Sequence, residues 1–309
     1  MNDYALTIVR PLDVTDSILI TSGGTANTNV PETDYSAWSS GTTYAAGARV
    51  ILTSTHRIYE SLQATNLNKN PVTESLWWIE VAPTNRWACL DASVSTGTSQ
   101  ADNIKYTFRP GTVINALAAL NLKNATQLTI TVTSDSFGVV YSKSIDLLSA
   151  PVSPAWWDWF YGVRRSRTQD VELDLPSYLD CTIVVEIDGG SDLFVGVLMM
   201  GQQRRFGVGI EYGARVGIQD YSRKEKNDFG DTVLIERAFA KRANFSLMVA
   251  KAETDALQDF LSDIRATNCL WIGSTEYEAT TVFGWCKNFE ILISYPERSL
   301  CELQLEGLT

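Results

Sequence analysis

Histidine is almost missing from this chain: among 309 residues, only His56 carries an imidazole. A Ser-His-Asp triad, a Cys-His pair or a histidine-rich metal site would have to be built around that one side chain. Between two short apolar runs it reads as a solvated turn residue, or as a donor to a sugar hydroxyl if aromatics stand beside it. Five cysteines, Cys89, Cys181, Cys269, Cys286 and Cys301, are odd in number, widely spaced and without a Cys-x-x-Cys pair. Neither a disulfide framework nor a zinc site is indicated, which leaves buried free thiols. Positive charge is also short, with 25 Lys and Arg against 36 Asp and Glu and a net charge of −11. Phosphate neutralisation needs a cationic surplus, so no direct sequence-specific nucleic-acid binding is expected. The acidic balance suits solubility or contacts within an oligomer. No apolar run approaches the length of a membrane span, and membrane insertion is not expected. Met1-Asn2-Asp3-Tyr4 places an acid where a secretion signal needs bases, and the run from Ala5 to Val9 is too short for its apolar core. No Walker sequence occurs, and Gly207-Val208-Gly209-Ile210-Glu211-Tyr212-Gly213 misses the dinucleotide fingerprint by one position, as turn glycines would. No cofactor or metal is expected.

What is present is a well-folding composition, 45% hydrophobic, in a chain long enough for about two domains. Its most telling stretch runs from Trp38 to Pro83: Trp38, Tyr44, Gly47, Val50, Tyr59, Asn70-Pro71 and Trp77-Trp78, with Ser, Thr and Asn between them. Aromatics this dense in a polar segment form either a very small core or a flat face for stacking on sugar rings. Both readings predict a compact β module over residues 36–83. A second aromatic segment, Pro154-Ala155-Trp156-Trp157-Asp158-Trp159-Phe160-Tyr161-Gly162, precedes Arg164, Arg165 and Arg167. Trp156, Trp157, Trp159 and Tyr161 make either a second aromatic surface or a hydrophobic plug closing one end of a sandwich. Asp158, set among these rings, is the most suggestive acid for glycosidase chemistry. One such neighbour among 36 acids is weak evidence, and the chain reads as non-enzymatic, with no catalytic residue assigned.

The order Trp38, Tyr44, Gly47, Val50, Tyr59 and closing Trp78-Ile79-Glu80-Val81 resembles the small chitin- and cellulose-binding modules of secreted polysaccharide hydrolases. The resemblance implies their β fold. After the second Tyr that family places an exposed Trp, whereas here Tyr59 is followed by Glu60, Ser61, Leu62, Gln63 and Ala64. The carbohydrate-binding candidates it implies are Trp77, Trp78, His56, Gln63 and Tyr59, with Trp78 as the core residue and Trp77 as the stacking platform, alone or with His56. Strand alternation would put Trp77, Ile79 and Val81 on one face and Trp78 and Glu80 on the other, unless a bulge breaks it. A sugar-binding module without a secretion signal fits a virion component assembled in a host cytoplasm and released by lysis.

Around the module the patterning is mainly β. Residues 1–35 hold two apolar runs, Ala5 to Val9 and Ile18-Leu19-Ile20, read as strands that pair with a later domain or a neighbouring subunit, followed by a loop from Ser22 to Asn29. Over residues 84–205, short alternating runs (Ile104 to Phe108, Leu128 to Val132, Val171 to Leu175, Ile183 to Ile187, Leu193 to Met200) predict a β-sandwich. Val113 to Leu122, an Asn-rich turn and then Gln127 to Val132 resemble a galactose-binding-like jelly roll. Over residues 206–309, strands at Thr232 to Arg237, Asn244 to Val249, Cys269 to Ile272, Asn288 to Ser294 and Leu300 to Leu305 surround a helix from Lys251 to Ala266. Its apolar stripe is Ala256, Leu257, Phe260, Leu261 and Ile264, and the expectation is a C-terminal α+β part, one helix on an antiparallel sheet. That arrangement is similar to the tail-tube-type fold of distal tail proteins of long-tailed phages, and Arg204 to Gly213 resembles segments of phage tail-tip proteins. The resemblance implies a ring of three or six copies in a tail tip or baseplate, other tail proteins (tube and baseplate hub) as partners, and a bacterial surface glycan as ligand of the module. The alternative is an accessory or catalytic component of a polysaccharide-degrading system. The basic clusters Arg204-Arg205, Arg223-Lys224 with Lys226, and Lys241-Arg242 read as solvated edges, or as cations meeting acids on the next subunit.

Overall fold

The computed structural model describes residues 5–19, 27–91, 93–148, 156–161, 166–226 and 232–308. It is mainly β, with a large antiparallel sheet and a 13-residue helix near the C-terminus, the class that the patterning predicts. The chain forms two compact units, Met1–Leu12 with Met200–Thr309, and Asp13–Met199. In the first of these, β1 (Leu6–Pro11) lies antiparallel between two partners that come far later in the sequence, at Gly201 to Phe206 and at Leu270 to Ile272.

The second apolar run does not form the expected strand. Instead of a strand, Asp16–Leu19 forms the short helix α1, with the Thr15 carbonyl accepting from the Ile18 and Leu19 amides at 2.9 and 3.2 Å. Asp16 in the first turn favours the helix start, and Leu19 turns into the core at 1% exposure. Ile20 and most of the following glycine-rich loop lie outside the described residues.

Within Asp13–Met199, the aromatic module consists of β2 (Thr43–Tyr44), β3 (Arg49–Leu52), β4 (Arg57–Ser61), β5 (Asn66–Leu67) and β6 (Trp78–Pro83). β3, β4 and β6 form one antiparallel sheet and β2 pairs with β5. Val50, Tyr59 and Trp78 fill the centre, with Trp38, Tyr44, Leu52 and Trp77 packed around them. Tyr44 meets Trp78 edge-on at 5.2 Å, and the Trp78 indole donates to the Lys69 carbonyl at 2.9 Å, so the ring's one polar atom is satisfied inside. Register shifts between Ile58 and Tyr59, whose partners are Ala82 and Glu80, so Val81 is the extra residue of a bulge.

The rest of this unit is built from β7 (Thr98–Gln100), β8 (Asn103–Phe108), β9 (Ala116–Ser134), β10 (Gly138–Asp146), α2 (Trp156–Tyr161), β11 (Gln169–Leu173) and β12 (Cys181–Phe206), whose last residues enter the other unit. The expected Asn-rich turn is absent. β9 runs on for 19 residues, pairing with β11 over Ala116 to Leu120 and with β10 over Gln127 to Ser134. Asn121 and Asn124 take left-handed φ of 52° and 55°, which asparagine tolerates, and so kink the strand without reversing it. Each amide side chain also holds a neighbouring segment, Asn121 the Val94 carbonyl of a loop and Asn124 the Asp192 carbonyl of β12. β12 meets the first kink with Gly196, where a Cβ would stand 2.7 Å from that of Asn121.

The other unit adds β13 (Gly209–Ile210), β14 (Arg215–Asp220), β15 (Arg223–Lys226), β16 (Thr232–Ile235), β17 (Phe239–Ala250), α3 (Lys251–Asp263), β18 (Cys269–Ile272), β19 (Thr281–Leu292) and β20 (Arg298–Gly307). From β1 the strand order is β18, β19, β20, β17, after which β13 and β14 pair along β17. α3 buries Leu257, Phe260 and Leu261, with Ile264 at its C-cap, against Leu6, Ile8, Phe245, Leu247 and Trp271. Ala256, expected in the stripe, is exposed, and the helix ends at Asp263. β15 and β16 pair only with each other among the described residues, extending the β14–β17 ribbon past the sheet.

Candidate functional site

The module presents two chemically different ends. At one, Trp77 precedes β6 and packs half-buried on the module core, with the Lys69 ammonium 5.4 Å from its ring centroid. The Trp77 carbonyl accepts from the Leu62 amide at 2.9 Å, and the Gln63 side-chain amide donates to the neighbouring Leu76 carbonyl at 2.9 Å. Leu62 and Leu76 are exposed beside them. A half-covered indole edged by an amide and aliphatic side chains can stack on the apolar face of a sugar and hydrogen-bond a hydroxyl at its border. Lys69 has to swing aside or donate to the ligand.

The other two aromatic candidates are not on this surface. Trp78 is 2% exposed and Tyr59 is 6% exposed, with its hydroxyl 3.4 Å from that of Thr55, because both rings are the module's core. Trp77 packs against them.

His56 stands at the far end of β4, because the sheet register sets Ser61 beside Trp78 and Arg57 beside Pro83. Four residue steps separate those ends by roughly 13 Å. His56 therefore does not join Trp77 in a platform, nor is it a solvated turn residue. With φ of 55°, its ring is held between two carboxylates, Nδ1 to Glu32 at 2.9 Å and Nε2 to Asp16 at 2.6 Å, and stacks on Trp87 at 4.1 Å. Glu32 also accepts from Thr84 at 2.9 Å and from Arg86 at 3.2 Å. Burial alone would lower the imidazole pKa, but the hydrogen bond and charge of Glu32, then those of Asp16, outweigh it and raise it above the ordinary value. Burial likewise pushes the Glu32 carboxyl up, and the bonds from His56 and Thr84 with the charges of His56 and Arg86 bring it below its usual range. The cluster ties α1, the segment entering the module at Glu32 and the exit segment at Thr84 to Trp87 at one point. Beside it lies a cleft of about 300 Å³, bordered by Asp16, His56, Arg57, Trp87 and Asp91.

Sequence reasoning missed Glu32, Asp16, Arg86 and Trp87. They lie 24 to 40 residues from His56 or in unremarkable contexts, and the sole available signal was the scarcity of histidine.

The second aromatic segment forms α2, on which Trp156, Trp157, Phe160 and Tyr161 are each more than half exposed. Trp157 and Tyr161 lie 4.4 Å apart and Trp156 meets Phe160 edge-on, so the rings cluster with one another. These four rings do not plug a core. The side chains of Asp158 and Trp159, and Arg164 and Arg165, lie outside the described residues.

In the other unit, an apolar groove of about 580 Å³ is lined by Val208, Ile210, Tyr212, Val216, Phe245 and Tyr277, among others. Glu211 is the charged residue in its lining. Gly213 in its lining has φ of 111° and Gly207, just before Val208, has φ of 78°, turn conformations rather than a phosphate loop.

No protein-family model matches the chain, and no curated protein does. Among solved structures, 38% of the chain is similar to a selenomethionine-labelled mutant of chitosan-binding module 1 derived from a chitosanase/glucanase of Paenibacillus sp. IK-5, at 13% identity over 84% of that chain. The TM-score is 0.24, too low to establish a common fold.

Proposed function

We propose that this protein is a structural, non-enzymatic subunit of a phage tail tip or baseplate, that it closes into a ring through the unit containing α3, and that its aromatic module attaches the virion to a host surface glycan. The observation that carries the reading is the combination, within one unit, of a sheet backed by a single helix, a β-ribbon running past the sheet and an open apolar groove. Surfaces of this kind on a soluble chain are normally covered by partners. The sequence resemblance to distal tail proteins supports the choice of assembly. Trp77 with Gln63 supports the glycan half, and a single half-covered indole fits weak binding per copy that is multiplied by repetition in a ring.

The purified full chain tests this by negative-stain microscopy, sedimentation velocity and pelleting with insoluble glycans, including chitin, cellulose and bacterial cell walls. Rings of fixed copy number that pellet with one glycan, without release of reducing ends, are expected. A monomer at every concentration would remove the assembly reading. Release of reducing ends would transfer the protein to the polysaccharide-degrading class.

A further inference from the structure

β15 and β16 form a ribbon of two strands with no third strand on either side among the described residues, and every one of their residues is exposed. Two strands alone are marginal in water, so this arm gains from a surface to lie on. Its register shows what each face offers. Arg223, Lys224, Glu225 and Lys226 stand opposite Ile235, Leu234, Val233 and Thr232. Opposed residues share a face and alternate residues change face, so one side carries Leu234 directly opposite Lys224, with Lys226 diagonal to it and Thr232 opposite Lys226, while the other carries Val233 and Ile235 with the ion pair of Arg223 and Glu225. Lys224 pairs with Asp220 of its own chain, which leaves an apolar anchor with Lys226 diagonal to it as the complement of an apolar groove whose lining carries Glu211, with Glu276 exposed in the loop beside Tyr277.

The arm cannot fill the groove of its own chain. Groove residue Val216 pairs with Ala243, near the sheet end of the ribbon, whereas Leu234 lies beyond Phe239 at the other end. The Tyr221 amide bonds the Ala238 carbonyl, carrying the ribbon onward between the two pairings. At strand rise, eight to nine residues place Leu234 roughly 25–30 Å along the ribbon from the groove. We propose that the groove receives the β15–β16 arm of a second copy of this chain, with Leu234 between Val216 and Tyr212 and Lys226 against Glu211. Each copy then gives one arm and receives one, a head-to-tail contact that closes into a ring or grows into a filament. The inference deepens the ring reading proposed above and rests on it for the occupant being another copy.

Sedimentation velocity of the full chain tests it up to about 100 µM, where micromolar contacts are saturated. The wild type is expected to self-associate. Leu234→Asp in the arm and Tyr212→Asp in the groove, both on exposed side chains, should each weaken association about 30-fold or more, as loss of an interface anchor does. Mixed in equal amounts, these two variants should form a dimer and nothing larger, because only one intact arm and one intact groove remain between them. Glu211→Lys should weaken association, and Lys226→Glu in the same chain should restore it. If the wild type assembles and both aspartate variants assemble equally well, the arm–groove contact is wrong while the ring reading stands. If the mixed variants stay monomeric, arm and groove do not meet. A wild type that is monomeric at every concentration removes both readings.

Discussion

Replacing His56 by Ala should destabilise the unit Asp13–Met199 most at mildly acidic to neutral pH. The imidazole side chain is 16% exposed and that of Glu32 is 6% exposed, so the variant leaves a buried carboxylate without its nearest cation. Breaking a buried pair in this way costs about 3–5 kcal/mol when the remaining charge has no other partner. Glu32 keeps Thr84 and Arg86, and the Asp16 side chain is 53% exposed, so the loss should fall at or below the lower limit of that range, about 2–3 kcal/mol. In a unit of this size each kcal/mol shifts the midpoint by about 2–4 °C, giving a drop of roughly 4–12 °C in its thermal transition.

The sign of the pH dependence follows from the two shifts. A histidine whose folded pKa is raised contributes stability that is complete below its unfolded value, about 6.5, and that fades as pH rises through the folded value. Glu32, with a lowered folded pKa, contributes stability present above about 4.3 and lost as pH falls through its folded value. The gap between wild type and variant should therefore be widest between those limits and narrow above pH 6.5. Differential scanning calorimetry from pH 4 to 9, following the transition of this unit, measures it. A variant that melts with the wild type, or a gap that does not change above neutrality, would refute the assignment of a charged His56.

Trp78→Ala should unfold the module at a cost of about 3–5 kcal/mol for a buried Trp, while Trp77→Ala costs less and abolishes any glycan pelleting; near-UV circular dichroism and pelleting separate the two. Asn124→Val should destabilise by about 1–3 kcal/mol, because a β-branched residue at φ of 55° is strained and the bond to Asp192 is lost, whereas Asn124→Gly should recover much of that in denaturant titration. Burial pushes the thiols of Cys269 and Cys301 up to about 12 and that of Cys286 up to about 11, so the native chain should react with a disulfide reagent far more slowly than the denatured chain, in which all five cysteines are titrated.

Local and periodic features of this chain were legible in its sequence. The stripe of Leu257, Phe260, Leu261 and Ile264 marked α3, and the density of Trp and Tyr marked the module core, because both patterns concern residues a few positions apart. Ile18-Leu19-Ile20 misled, since three apolar residues fit either element and Thr15 with Asp16 tips the choice to a helix. Asn121 and Asn124 misled because asparagine at positive φ serves turns and kinks alike, and only the strands on either side decide which. The arm was read as an ordinary strand, for Val233-Leu234-Ile235 looks like core until the missing neighbours are seen.

The site divides in the same way. Trp77 and Gln63 were singled out from a local pattern, whereas the His56 cluster is made by residues that only the fold brings together. β4 then separates two tasks that the sequence had placed in one list. Its Arg57 end is fixed by ion pairs that anchor the module to its own unit, and its Ser61 end carries the half-covered indole. Groups more than about 10 Å apart with no shared partner act nearly independently. Anchoring can therefore weaken with pH while the Trp77 surface keeps its shape, and a ligand taken up at Trp77 makes no demand on the charge of His56.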